Sequence, residues 1–212
     1  MSLIPPHYLN AVLSIEIENK QANGEIKRQS IATGFLVGKE MGENEKKEKM
    51  FKLFIVTNRH VFQDQKSKQF LKKVLFRFNT LENKSHYFKT DLLKEDGNPL
   101  WHMHENEKVD LAILPINANA IQEEKINFYF FQGQDLFYAK DFESKNISTG
   151  DGLFVLGFPM SISGKLRNFV IVRQGIIARV DEEVLEDQYF YIDASALTQE
   201  IVAVQLSINQ KL

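Results

Sequence analysis

Apolar residues along this chain either alternate with polar ones or run together over stretches of strand length, and clusters of Gly, Asn, Asp and Lys separate these stretches. The pattern predicts strands over residues 10–17, 30–37, 51–57, 73–79, 86–93, 111–115, 152–157, 168–178 and 188–193. Helical periodicity is weak almost everywhere. Many strands at regular spacing indicate a barrel or sandwich, so the periodicity alone supports an all-β fold class. Lys39 to Lys49 is nearly all charged residues, Gly and Asn, and reads as a solvated hairpin loop. Lys66 to Lys73 reads as a second solvated loop entering a strand. Past Asn117 the chain turns polar before the aromatic run Phe128, Tyr129, Phe130 and Phe131, which marks a crossing between two halves.

Composition narrows the partners. With 26 basic and 28 acidic residues the formal charge is −2, and no global field favours nucleic acid or an anionic membrane. The 212 residues include no cysteine, which excludes disulfides, thiolate metal sites and a cysteine nucleophile. Packing must supply the stability, and 17 phenylalanines provide much of the apolar area for it. Met1 to Pro6 lacks a basic segment followed by an apolar run, so no signal peptide is read and the cytoplasm is the default location. His102 and His104 share one face if extended, but beyond Glu105 and His86 no further ligand is evident; no metal is expected.

The chemistry concentrates in Phe54-Ile55-Val56-Thr57-Asn58-Arg59-His60-Val61-Phe62, an apolar strand ending in a polar turn with one histidine. Ala32-Thr33-Gly34-Phe35-Leu36-Val37 lies upstream, and Val109-Asp110-Leu111-Ala112-Ile113-Leu114 lies downstream. A histidine after a strand and an aspartate before one can both be held by a rigid sheet, as a base and its orienting carboxylate must be. In this order the three pieces resemble the trypsin-like serine peptidases, in particular their bacterial HtrA-like branch. Gly150 to Pro159, Phe169 to Ile177 with Gly175, and Tyr191-Ile192-Asp193-Ala194-Ser195 are similar to later elements of that family. The resemblance implies a Ser-His-Asp triad with His60 as general base and Asp110 as its orienting group. It also implies a peptide or protein substrate, no cofactor, and Ser195 at the base of the primary specificity pocket. The architecture implied is two antiparallel β-barrels: residues 1–117 carrying His60 and Asp110, a linker over 118–125, and a second barrel over 126–212.

After Ser195 the resemblance breaks. The family continues roughly Thr-Tyr-Pro-Gly-Asn-Ser-Gly-Ser-Pro-Val, whereas this chain reads Ala196-Leu197-Thr198-Gln199-Glu200-Ile201-Val202-Ala203-Val204-Gln205-Leu206. Codons permitted for this stretch, read from their third base, spell the family motif, with the serine codon straddling Ile201 and Val202. The expectation is therefore a frame-shifted chain, since an insertion of two bases just after the Ser195 codon would explain the whole tail. The nucleophile is therefore expected near Ile201 but is absent, and the chain as written is expected to be inactive with its second barrel incomplete. The alternative is a non-catalytic, peptidase-like module that binds proteins. An incomplete barrel also leaves an open edge through which chains can associate, and Ile201 to Ile208 is apolar enough either to pair there or to dangle.

Overall fold

The structure, a computed structural model, describes residues 4–64, 66–159, 162, 164–186 and 189–194, together with the backbone of 203–206. Strands β1 (Val12–Lys20), β2 (Ile26–Glu43), β3 (Lys49–Thr57), β4 (Lys73–Asn79), β5 (Ser85–Asp91), β6 (His102–Met103) and β7 (Ala112–Ile116) form a seven-stranded sheet in the order β5-β4-β1-β2-β3-β7-β6. Strands β8 (Gly152–Gly157), β9 (Ile171–Arg179), β10 (Tyr191–Ala194) and β11 (Ala203–Leu206) form a four-stranded sheet in the order β10-β9-β8-β11. Every ladder is antiparallel. Short helices α1 (Arg59–Phe62), α2 (Ala118–Glu123), α3 (Ala139–Ser144) and α4 (Glu182–Glu186) punctuate the sheets. The chain is thus mostly β in two antiparallel sheets. Where closed barrels were expected, the first ladder order ends at β5 and β6 and the second at β10 and β11, with no closing ladder among the described residues.

The expected loop over Lys39 to Lys49 is mostly strand: β2 runs on to Glu43, β3 begins at Lys49, and only a tight turn remains. Two features let such polar residues stay extended. Asn44 closes the turn, its Oδ1 accepting from the backbone N–H groups of Lys46 and Glu48 at 2.9 Å each. Beyond the core the ladder needs only backbone pairing, and exposed charges sit side by side, with Lys49 Nζ 3.0 Å from Glu40 Oε2.

Alternation along the first sheet's strands puts Leu13, Ile15, Leu36, Leu53, Ile55, Val74 and Phe76 into one buried core, with Phe62 and Trp101. The α2 segment, expected as linker, is a helical turn capped by Asn117, whose Oδ1 accepts from Asn119 N at 3.0 Å. Ile121 and Ile126 are buried in the first sheet's core, and Phe128 and Phe130 pack against it. A smaller core under the second sheet gathers Phe142, Ile147, Leu153, Val155 and Ile177. A third cluster, Val12, Leu156 and Phe158 with Phe35 and Phe131 against them, joins the two sheets.

Two polar seams fix that junction. Thr33 O accepts from Thr57 Oγ1 at 2.9 Å, and Thr33 Oγ1 accepts from Phe158 N at 2.9 Å. Gly157 is required there, because a Cβ on it would stand 2.9 Å from Thr33 Oγ1. The second seam ties the segment between β8 and β9 to the β4–β5 hairpin. Asn168 and Asn79 exchange hydrogen bonds of 2.8 and 3.0 Å, Asn168 Nδ2 donates to Arg77 O, and Leu166 O accepts from Ser85 N and Oγ. Beneath it lies a buried pair, Arg77 Nη1 3.5 Å from Glu16 Oε1, with both side chains 4% exposed.

The stretch that departs from the expected family motif is paired where it is described. Ala203 to Leu206 align antiparallel with Leu156 to Leu153 of β8. Ladder hydrogen bonds use backbone groups, so this edge does not demand a particular set of side chains.

Candidate functional site

The β3–β7 ladder places the two groups singled out from the sequence. Thr57 pairs with Ala112 and Val56 with Ile113, and extending that register by two residues sets Asp110 opposite the start of α1. β3 ends because Asn58, at φ −69° and ψ 146°, leads into a single helical turn. Phe62, fully buried, anchors that turn in the core and leaves His60 on its solvent side. On the facing loop, Arg59 Nη2 donates to Glu107 O at 2.8 Å and holds the approach to Asp110.

The resulting geometry is tight. His60 Nδ1 lies 2.5 Å from Asp110 Oδ2, and the backbone N–H of His60 donates to Asp110 Oδ1 at 2.9 Å. The His60 and Asp110 side chains are 27% and 33% exposed, half-buried but reachable from solvent. An ionised carboxylate can only accept, so the ring carries its proton on Nδ1 and presents Nε2 as the acceptor. Burial is the largest influence on Asp110 and raises its pKa. The hydrogen bonds from the His60 ring and backbone, with the charges of His60 and Arg59, together outweigh burial and hold the carboxyl below its ordinary value. What this arrangement can do chemically is take a proton at Nε2 while the carboxylate stabilises the imidazolium.

One contributor was not legible beforehand. Asn58 Nδ2 donates to Asp110 Oδ2 at 3.0 Å and to Asp110 O at 3.1 Å. An asparagine ahead of a helix reads as a cap, and sequence carries no signal that its amide reaches a residue 52 positions on. Beside the ring, a cleft of about 520 Å³ is lined by His60, Val61, Phe70 and Leu71, with Asp64 at its rim.

The remaining sequence expectations fall elsewhere. Ser195 and Ile201 lie outside the described residues. His102 is on the edge strand β6, and the His104 ring accepts from Asn106 N at 3.0 Å through Nδ1. Among the described residues no group of three or more His, Asp or Glu side chains is placed to hold a metal ion. Among the described residues no helix is long and apolar enough to cross a membrane.

Comparison with known proteins adds the family. The profile of the trypsin-like peptidase domain matches residues 32–200, most of the chain. The chain belongs to the trypsin-like peptidase family. Among solved structures, the apo protease domain of MamO from Magnetospirillum magneticum is 14% identical, with 94% of this chain and 79% of that one covered at a TM-score of 0.47. No curated protein matches this peptidase-family chain significantly.

Proposed function

We propose that His60 is the general base and Asp110 its orienting carboxylate in a peptidase scaffold whose nucleophile loop has been replaced. The chain as written then performs no peptide-bond hydrolysis. The observation that carries this reading is the His60 Nδ1 to Asp110 Oδ2 contact at 2.5 Å, with Asp110 Oδ1 held by His60 N. In the proposed mechanism a serine hydroxyl gives its proton to Nε2, the oxygen attacks the scissile carbonyl, and the imidazolium returns the proton to the leaving amine. Stabilisation of the resulting oxyanion falls to backbone N–H groups of the same loop; removing one such donor costs about a hundredfold to a thousandfold in turnover. A chain without that loop loses the nucleophile and those donors together.

The two sheets are proposed as the two barrels of this fold: residues 1–117, then the connection over 118–125, then residues 126–212. Ser195 would sit at the base of the specificity pocket with no carboxylate, which disfavours Lys and Arg and favours an apolar or small side chain before the cleaved bond. A frame shift explains the tail, because Ala196 to Leu206 permit codons that read Thr-Tyr-Pro-Gly-Asn-Ser-Gly-Ser-Pro-Val in the next frame. The edge of the incomplete second barrel is the proposed route of association.

Two measurements test this. The nucleotide sequence across residues 190–212 is expected to contain the shifted motif; codons that do not spell it would remove the frame-shift explanation. A fluorophosphonate probe is expected to leave the chain unlabelled, and covalent labelling of any serine would contradict the assignment of inactivity. An unlabelled chain that retains peptide binding is the behaviour of the binding-module alternative.

A further inference from the structure

We propose that Asn58 is a positioning residue of this site, clamping Asp110 in the one rotation that meets the His60 ring. The inference rests on the reading of His60 and Asp110 as base and orienting carboxylate. Asn58 stands at the N-cap of α1, where an asparagine side chain ordinarily accepts from the first free helix N–H groups. Here it makes no capping bond. Its amide is turned the other way, with Nδ2 donating to both Asp110 Oδ2 at 3.0 Å and Asp110 O at 3.1 Å.

The two donations act on different parts of one residue. The bond to the carbonyl fixes the Asp110 backbone, and the bond to Oδ2 fixes the carboxylate plane. With His60 N on Oδ1 at 2.9 Å, each carboxylate oxygen is held by an N–H from residues 58–60 in addition to the ring. Turning the carboxylate away from the imidazole therefore breaks two further hydrogen bonds. The charged groups acting on this carboxylate are His60 and Arg59, both from α1, and the Arg59 guanidinium is itself fixed on Glu107 O. These contacts all arise within the first sheet and its loops, so the clamp holds the pair ready without help from the second sheet.

A plain helix cap is the competing role, and two substitutions separate them. Asn58→Ala removes donor and acceptor together. Asn58→Asp preserves size and the capping acceptor, but removes the donor and sets a second carboxylate against Asp110. The full chain, with carboxyl carbons labelled, is titrated by NMR while the downfield Nδ1–H proton of His60 is followed. The Asp110 midpoint is expected to rise by about half a unit to one unit in Asn58→Ala, from loss of one hydrogen bond to a charged group. In Asn58→Asp it is expected to rise by about one unit or more, from like-charge repulsion. The Nδ1–H signal broadens in both. Unchanged titration and an unchanged signal in both variants would overturn the clamp, and Asn58→Asp alone decides the matter should Asn58→Ala fail to fold. Failure of the parent reading looks different: with Asn58 intact, His60→Ala would then leave the Asp110 midpoint where it is in the unsubstituted chain.

Discussion

The first and second sheets are built from the same antiparallel pairing, yet they hold their side chains very differently. In the first, β4 is buried along almost its whole length, from Val74 to Phe78, and the loops at the end of β3 and before β7 bring His60 and Asp110 into contact. In the second, β9 shows mostly exposed or half-buried positions, and Val172, Ile176, Tyr191 and Ile192 are large apolar groups left in solvent. The contrast separates features that depend on backbone pairing from features that depend on particular side chains. A backbone ladder such as that of β11 with β8 is made by N–H and C=O groups that every non-proline residue carries. Cores and catalytic loops depend on particular residues in particular places.

The largest expected effect is on the buried pair under the seam between the sheets. Arg77→Ala takes the guanidinium away from Glu16, which is 3% exposed, and is expected to cost about 3–5 kcal/mol by chemical denaturation. A cost near zero would mean that the pair is not buried as described. Next comes the seam itself. Asn168→Ala removes the Nδ2 donor to the buried Arg77 O and leaves the two bonds between Asn79 and the Asn168 backbone in place, so a loss of about 1–3 kcal/mol is expected from the carbonyl left without that donor. Its effect on denaturant midpoint should exceed that of Lys49→Ala, where an exposed pair is worth about 0–1 kcal/mol.

A third expectation concerns local opening. Amides of β9 and β10 should exchange with solvent faster than those of β1, β3 and β4, because fewer buried apolar contacts hold them. Equal protection in both sheets would remove the contrast. The smallest effect is the pH dependence of Asp110. Its folded pKa is depressed, so the stability it contributes is complete above the unfolded aspartate value of about 3.9 and is lost as pH falls through the lower folded value. Asp110→Asn should therefore flatten the acid limb of a stability profile and leave its shape at neutral pH unchanged. An acid limb identical to that of the parent would contradict the depressed pKa.

Much of the fold was legible because a strand with one buried face alternates with period two, as β7 does in its first residues, and a strand buried on both faces reads as one apolar run of strand length, as β4 and β8 do. His60 and Asp110 were legible because each sits at a strand end within a recognisable run. Three things were hidden for physical reasons. The helices α2, α3 and α4 are too short to display a helical period. Ser14, Glu16, Ser30 and Arg77 form a polar face that alternation assigns to solvent, but the segment between β8 and β9 covers it. Asn58 carries a cap-like signature while its amide is directed across the site.

On the proposed reading the first sheet holds a base and its orienting carboxylate, and what is missing is the nucleophile loop, with its hydroxyl and its oxyanion donors. The direct test is to delete two bases after the Ser195 codon, which on the frame-shift reading recovers the family motif, and to expose the product to a fluorophosphonate probe with and without His60→Ala. The account predicts labelling of the restored serine that His60→Ala abolishes. Labelling that survives His60→Ala, or a folded restored chain that does not label at all, would contradict it.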